Sequence, residues 1–112
     1  MKTYAQALDL KEDKDLIAKY ENYHKNVWPE TIEGLRNIGV LRMRIWRVNN
    51  RLFMLMETSD EFNIAKFQEY ADQNPRAKEW NELMMNFQQQ IPSPTGQWWS
   101  PMSLAFDSEW FN

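Results

Sequence analysis

The chain has no cysteine and only one histidine, and these two scarcities narrow the chemistry that any site can use. Without cysteine there are no disulfides, no thiolate nucleophiles and no metal sites built on sulfur. The Asp and Glu residues show no ligand spacing with His24, so we expect no metal site. The imidazole side chain changes its charge near neutral pH, which makes His24 the first candidate for acid–base chemistry.

Long apolar runs and an excess of positive charge are also missing. The N-terminal segment turns polar by Asp9 without the apolar stretch of a signal peptide, and no membrane-spanning run follows. The net charge is −3 with acids and bases interspersed, which leaves no basic face for phosphates. We therefore expect a cytoplasmic protein that binds neither membranes nor nucleic acids.

The apolar content is sufficient for one core. Hydrophobic residues make up 43% of the 112 residues and aromatic residues 14%, which excludes the composition of a disordered chain. A chain of this length normally folds as one unit, so we expect a single domain spanning residues 1–112.

Alternation of apolar and polar residues predicts four strands. They lie at Thr3–Leu10, 41–48, 51–57 and 102–111, and the pair Asn49-Asn50 can form the tight turn between the second and the third. The segment 91–101 is rich in proline and reads as a loop, although it contains Trp98 and Trp99, two large rings that something must cover.

Apolar residues spaced by three and four predict two helical regions, each interrupted once. The first begins after a cap at Asp13, breaks near Trp28-Pro29 because proline lacks an amide hydrogen, and ends at Gly39. The second begins with Asp60 as its cap and restarts at Asn74-Pro75.

The resulting order is strand, helix, strand, strand, helix, strand. This order is typical of the α+β ferredoxin-like βαββαβ fold, an antiparallel sheet with both helices on one face. Because the hairpin carries apolar residues on both faces, the other face of the sheet also needs a cover. We expect a homodimer in which two copies pack sheet to sheet, as in a dimeric α/β barrel.

Tyr20 and His24 lie four residues apart, which places the phenol and the imidazole one turn apart on one helix face. Trp28 follows at the helix break, where its indole can stack on the C–H face of a sugar. The alternative is that His24 is a hydrogen-bonded structural residue and that the Trp residues serve core or dimer packing. Spacing alone does not choose between these readings.

The segment Tyr20-x-x-x-His24-x-x-x-Trp28-Pro29-Glu30 resembles the signature of the L-rhamnose mutarotases, and the likeness extends over almost the whole chain. The resemblance implies a dimeric ferredoxin-like fold without a cofactor, with His24 as general acid and Tyr20 as a substrate-binding residue. Two positions depart from the family: Met43 stands where a substrate-contacting Tyr is frequent, and Trp80-Asn81 replaces a Trp-Trp pair.

The resemblance predicts an isomerase that interconverts the α and β anomers of a 6-deoxy-L-hexose, either L-rhamnose or L-fucose, by opening and closing the sugar ring. His24 is expected to deliver a proton to the ring oxygen and to recover it on closure. Two other functions fit the same fold: a cofactorless monooxygenase or haem-degrading enzyme, and a non-catalytic sugar-binding dimer. The expected substrate contacts, besides His24, are Tyr20, Trp28, Met43, Trp80 and Asn81.

Overall fold

The computed structural model describes residues 1–93 and 95–111. The elements follow one another as β1 (Lys2–Leu10), α1 (Lys14–Lys25), α2 (Pro29–Asn37), β2 (Val40–Val48), β3 (Arg51–Thr58), α3 (Ala65–Gln73), α4 (Pro75–Met85), β4 (Gln88–Gln89), β5 (Ser100–Pro101) and a final 3-10 turn (Ser108–Phe111). Within the described residues, no helix is long and apolar enough to cross a membrane.

The strands form one antiparallel sheet in the order β2-β3-β1-β4, and β5 also pairs with β1. β4 lies against Asp9 and Leu10, while β5 lies against Gln6 and Ala7 on the same strand. Two short strands therefore share the edge position that a single strand occupies in an ideal ferredoxin-like sheet. The predicted α+β ferredoxin-like class is confirmed.

The strand predicted at 102–111 is wrong. After β5 the amide of Met102 donates to the carbonyl oxygen of Ala5 at 2.9 Å, and the last element of the described residues is the 3-10 turn. The alternation of Met102, Leu104 and Phe106 resembles a strand, but these side chains are exposed. A half-buried pattern needs a partner surface, and the part of the chain that the structure describes does not cover these three side chains.

The predicted boundaries of the first helical region are confirmed. The carboxylate of Asp13 accepts hydrogen bonds from the amides of Asp15 and Leu16 and so caps α1. Trp28 has extended backbone angles, and Pro29 then begins α2, because the proline ring disfavours helical angles at the preceding residue.

The predicted turns are also confirmed, but one predicted cap is wrong. Asn49 has a φ of 52° in the hairpin turn, and Gly39 has a φ of 103° after α2. Asp60 does not cap α3: it pairs with the amino terminus, and the side chain of Asn63 accepts from the amide of Ala65 instead. Asn74 caps α4 as Pro75 begins it.

All helices that enter the core pack on one face of the sheet, and two apolar clusters lie between the layers. The first joins α1 and α4 to the ends of β1 and β3, with Tyr20 and Trp80 at its centre. The second lies around Val40, Met56 and Phe62. Residues 1–93 and 95–111 provide no such layer on the opposite face of the sheet, where Trp46 is 46% exposed.

Candidate active site

The site is built on the last two turns of α1. The rings of Tyr20 and His24 lie with their centroids 4.4 Å apart, as expected for side chains four residues apart on one helix face. Tyr20 is buried, whereas His24 is only partly buried. The imidazole therefore lies at the border between the first apolar cluster and solvent, where a ligand can reach it.

Trp80 and Trp28 form an aromatic wall beside His24. The ring of Trp80, buried on α4, lies 5.6 Å from that of His24 and 5.1 Å from that of Trp28, both in edge-to-face geometry. Trp28 owes its place to the Pro29 corner, which turns the chain from α1 into α2. The structure therefore brings together four of the residues named from the sequence: Tyr20, His24, Trp28 and Trp80.

The guanidinium of Arg76 lies 3.9 Å from the ring centre of Trp28, within the range of a cation–π contact. Arg76 also pairs with Glu79 at 2.7 Å, one turn further along α4. These contacts fix the indole from the α4 side, so Arg76 holds the wall in place although sequence reasoning did not point to it.

One ring nitrogen of His24 is already engaged. Nδ1 lies 2.9 Å from the backbone carbonyl oxygen of Tyr20, and since a carbonyl oxygen only accepts, Nδ1 must carry the hydrogen. Nε2 then keeps its lone pair in the neutral imidazole. Burial lowers the pKa of His24, and the hydrogen bond to the Tyr20 carbonyl opposes this by a smaller amount. His24 is therefore neutral at pH 7, with Nε2 ready to accept a proton.

Tyr20 shows a pKa shift in the opposite direction to that of His24. Burial raises the pKa of the phenol, and a hydrogen bond from Gln88 lowers it by less. The phenol therefore stays protonated at neutral pH and can act as a hydrogen-bond donor.

Gln88 and Trp98 are two site residues that the sequence did not reveal. Nε2 of the Gln88 side chain donates to the Tyr20 hydroxyl at 3.4 Å. The Trp98 indole N–H donates to the side-chain oxygen Oε1 of Gln88 at 2.8 Å. Gln88 stands in a run of three glutamines, which looks like polar surface, and no periodicity marks it as buried. The only sequence signal was a large ring inside a polar loop.

Met43 and Asn81 lie elsewhere. Met43 packs against the second apolar cluster, and its neighbour on the same strand face, Ile45, packs against the first. Asn81 lines a groove between the helices together with Thr31 and Tyr70. Their contact with substrate stays a prediction.

Within the described part of the chain, no group of three or more His, Cys, Asp or Glu side chains could hold a metal ion. The chemistry that the assembled residues offer is proton transfer at His24, hydrogen bonding by Tyr20 and stacking on indoles.

Fold and site together define a ferredoxin-like α+β protein with a partly buried histidine against an aromatic wall. A sequence profile described as L-rhamnose mutarotase matches residues 3–108. The chain belongs to the L-rhamnose mutarotase family. It is 47% identical to a UPF0734 protein of Dictyostelium discoideum, covering 98% of this chain and 92% of that protein. It is 35% identical to an L-fucose mutarotase of Xanthomonas campestris pv. campestris, covering 95% and 87% respectively.

Solved structures show the same fold. An L-rhamnose mutarotase from Formosa agariphila superposes with a TM-score of 0.70 at 21% identity, covering 96% of this chain and 98% of that one. A dimeric ferredoxin-like protein from an uncultured marine organism gives a TM-score of 0.56 at 20% identity, covering 80% of each chain. These matches do not favour either alternative function, the cofactorless monooxygenase or haem-degrading enzyme on the one hand and the non-catalytic sugar-binding dimer on the other.

Proposed function

We propose that this chain is a mutarotase that interconverts the α and β anomers of a 6-deoxy-L-hexose, L-fucose or L-rhamnose. The observation that carries the proposal is the state of His24: its Nδ1 is tied to the Tyr20 carbonyl, which leaves Nε2 free to exchange a proton beside two indoles. Because the chain belongs to a mutarotase family, anomer exchange is the reaction in which we expect this imidazole to transfer a proton.

Ring opening requires that the anomeric hydroxyl lose a proton and the ring oxygen gain one. Both oxygens are bonded to C1, so a single nitrogen can address both. Neutral Nε2 of His24 takes the proton from the anomeric hydroxyl, the C1–ring oxygen bond breaks as the aldehyde forms, and the imidazolium delivers the proton to the ring oxygen. Closure on the other face of the aldehyde reverses these steps and restores the neutral histidine.

The rate enhancement that a mutarotase must provide is modest. Positioned proton transfer contributes about 100- to 10,000-fold to a rate, or roughly 3 to 5 kcal/mol of barrier. Anomer exchange already proceeds in water, so one well-placed imidazole is enough to produce useful acceleration. The partial burial of His24 helps, because a lowered pKa makes its imidazolium a stronger acid than a free imidazolium.

Substrate contacts are assigned to Tyr20, Trp28 and Trp80, the residues that surround His24. The indoles provide apolar surface for the sugar's C–H groups and for the methyl group of a 6-deoxy sugar. Met43 and Asn81, the two departures from the family pattern, are further candidates for setting the sugar preference.

Saturation-transfer NMR measures anomer exchange directly and separates the candidate sugars. We expect the protein to accelerate exchange of L-fucose or L-rhamnose and to act far less on D-glucose, which has a hydroxymethyl group in place of the methyl group and a different configuration. Absence of acceleration for both deoxy sugars would rule out the proposed function.

We further propose that the working protein is a homodimer that packs through the outer face of the sheet. On this face Trp46 stacks on Phe53 with centroids 5.5 Å apart, and the guanidinium of Arg44 lies 5.1 Å from the Trp46 ring centre. The Nε atom of Arg44 is buried without a hydrogen-bond partner among the described residues. Trp, Phe and Arg are the residues that protein interfaces favour.

A further inference from the structure

The hydroxyl of Tyr20 is the end of a hydrogen-bond chain that begins in the loop before β5. The indole N–H of Trp98 donates to Oε1 of Gln88 at 2.8 Å, and Nε2 of Gln88 donates to the Tyr20 hydroxyl at 3.4 Å. Gln88 is only 5% exposed and Tyr20 only 3%. The side chains of Gln88 and Tyr20 are therefore buried, and Trp98 at the other end of the hydrogen-bond chain is partly buried.

The donors and acceptors in this hydrogen-bond chain have a fixed order. An indole N–H can only donate, so Trp98 requires the carbonyl oxygen of Gln88 on its side. The NH2 group of Gln88 then faces Tyr20 and donates to the phenol oxygen, which is the acceptor. The phenol has one hydrogen, and Gln88 Nε2 offers it no lone pair. That hydrogen must therefore turn away from Gln88.

The loop that carries Trp98 is held to β4 by a second glutamine. Nε2 of Gln90 donates to the carbonyl oxygens of Gly96 and Gln97, at 3.0 and 3.1 Å. Gln88 and Gln90 thus fix the side chain of Trp98 and the backbone just before it. The indole is held where it can orient the Gln88 amide.

We propose that Gln88 and Trp98 are positioning residues that keep the Tyr20 hydroxyl as a hydrogen-bond donor to an oxygen of the bound sugar. This inference rests on the proposed function and assigns a role to two residues outside the signature segment. During proton shuttling by His24, negative charge develops on the sugar oxygens. A donor that already points at the charge, without having to reorient, stabilises that state more than the ground state.

Gln88 also affects the acidity of the Tyr20 phenol. Burial raises the pKa of Tyr20, and the hydrogen bond from Gln88 lowers it by a smaller amount. A residue that accepted the phenol hydrogen would instead hold it away from the sugar.

Gln88→Glu tests the direction of the chain with almost no change of size. The introduced carboxylate still accepts from Trp98, but when ionised it cannot donate, so the Tyr20 hydroxyl turns toward it. We expect kcat for anomer exchange to fall by about tenfold or more at neutral pH, with a smaller change in KM. The ratio of variant to wild-type kcat should recover as the pH falls, because a protonated carboxyl can again donate to Tyr20.

Matched variants separate direction from packing. Gln89→Glu adds the same charge at the exposed neighbour and should leave kcat near the wild-type value. Trp98→Phe keeps an aromatic ring but removes the donor that orients Gln88, and should lower kcat in the same way, whereas Trp99→Phe should not. If Gln88→Glu fails to fold, Gln88→Met removes the donor without adding charge and should lower kcat at every pH.

The proposal is overturned if Gln88→Glu matches Gln89→Glu, or if its kcat ratio to wild type does not change with pH. Titration of protein with 13C-labelled tyrosine gives a readout that needs no activity. Loss of the Gln88 donor should raise the pKa of Tyr20, and an unchanged pKa in Gln88→Glu or Gln88→Met would refute the hydrogen-bond chain. Failure of wild-type exchange alone would instead count against the proposed function.

Discussion

At the scale of single residues, the helix that carries His24 sets the tautomer of its imidazole. The carbonyl oxygen of Tyr20 lies one turn before His24 and takes the hydrogen of Nδ1 at 2.9 Å. This contact decides the tautomer, and burial decides that the neutral form prevails at pH 7. The neutral ring can therefore accept a proton at Nε2.

The pH dependence of exchange follows from this state. Because burial lowers the pKa of His24, the active neutral form persists below the usual value of 6.5. We expect kcat/KM to be flat above that pH and to fall on the acid side, with a midpoint below 6.5. Measurement of exchange from pH 4.5 to 8 checks this. A rate that rises as the solution becomes more acidic would mean that imidazolium is the resting form.

Much of the residue-level site could be predicted from local spacing. Tyr20 and His24 are linked by one helical turn and Trp28 by the proline that follows it, so their grouping depends on short-range geometry. Gln88 and Trp98 reach Tyr20 only through the tertiary fold: 68 residues separate Gln88 from Tyr20 in the chain. No pattern within a helix or strand encodes such a contact.

At the scale of elements, α2 and α3 meet at a glycine. Gly34 is buried, and a Cβ added there would overlap the phenol ring of Tyr70. The Tyr70 hydroxyl donates to the carbonyl oxygen of Glu30 at 3.0 Å, in the first turn of α2 just after the Trp28-Pro29 corner. Tyr70 therefore fastens the helix that follows the Trp28 corner.

Gly34→Ala tests this contact. Alanine normally favours a helix over glycine by up to about 1 kcal/mol, but here the overlap with Tyr70 should reverse the sign and destabilise the protein by about 1–3 kcal/mol. Urea denaturation of Gly34→Ala, Tyr70→Ala and the double variant measures the coupling. In the Tyr70→Ala background Gly34→Ala should be neutral or stabilising. Additive effects of the two substitutions would contradict the close contact.

Elements whose signals are local were predicted well, and elements that need a distant partner were not. Asp13, Pro29 and the Asn49-Asn50 turn act on their own neighbours, and each boundary was confirmed. The tail strand failed because alternation shows only that one side is apolar, not which surface covers it. The edge of β1 is instead filled by β4 and β5, two-residue strands too short to leave an alternating pattern.

At the scale of the whole molecule, one side of the sheet is covered by helices and the other is open. Trp46, Val48 and several apolar residues of the tail are exposed, with Phe106 at 66% and Phe111 at 78%. A second copy packed on the sheet would cover the first group and could cover the tail as well. A two-fold arrangement would place the same patch on both partners.

Trp46→Glu should weaken this association. The substitution puts a charge at the centre of the proposed interface, where desolvation opposes contact. Sedimentation velocity should show a dimer for the wild-type protein and a shift toward monomer for the variant. Met85→Glu, an equally exposed apolar position in the helix layer, should leave the dimer intact. A wild-type protein that sediments as a monomer at micromolar concentration would refute the dimer.

The most direct test of the account compares wild-type protein with His24→Gln in saturation-transfer NMR of L-fucose and L-rhamnose. Glutamine can still hydrogen-bond but cannot shuttle a proton, and circular dichroism confirms that the variant is folded. We expect wild-type protein to accelerate exchange of at least one sugar and His24→Gln to lose about 100-fold or more of that acceleration. Equal exchange rates in the folded variant and the wild type would contradict it.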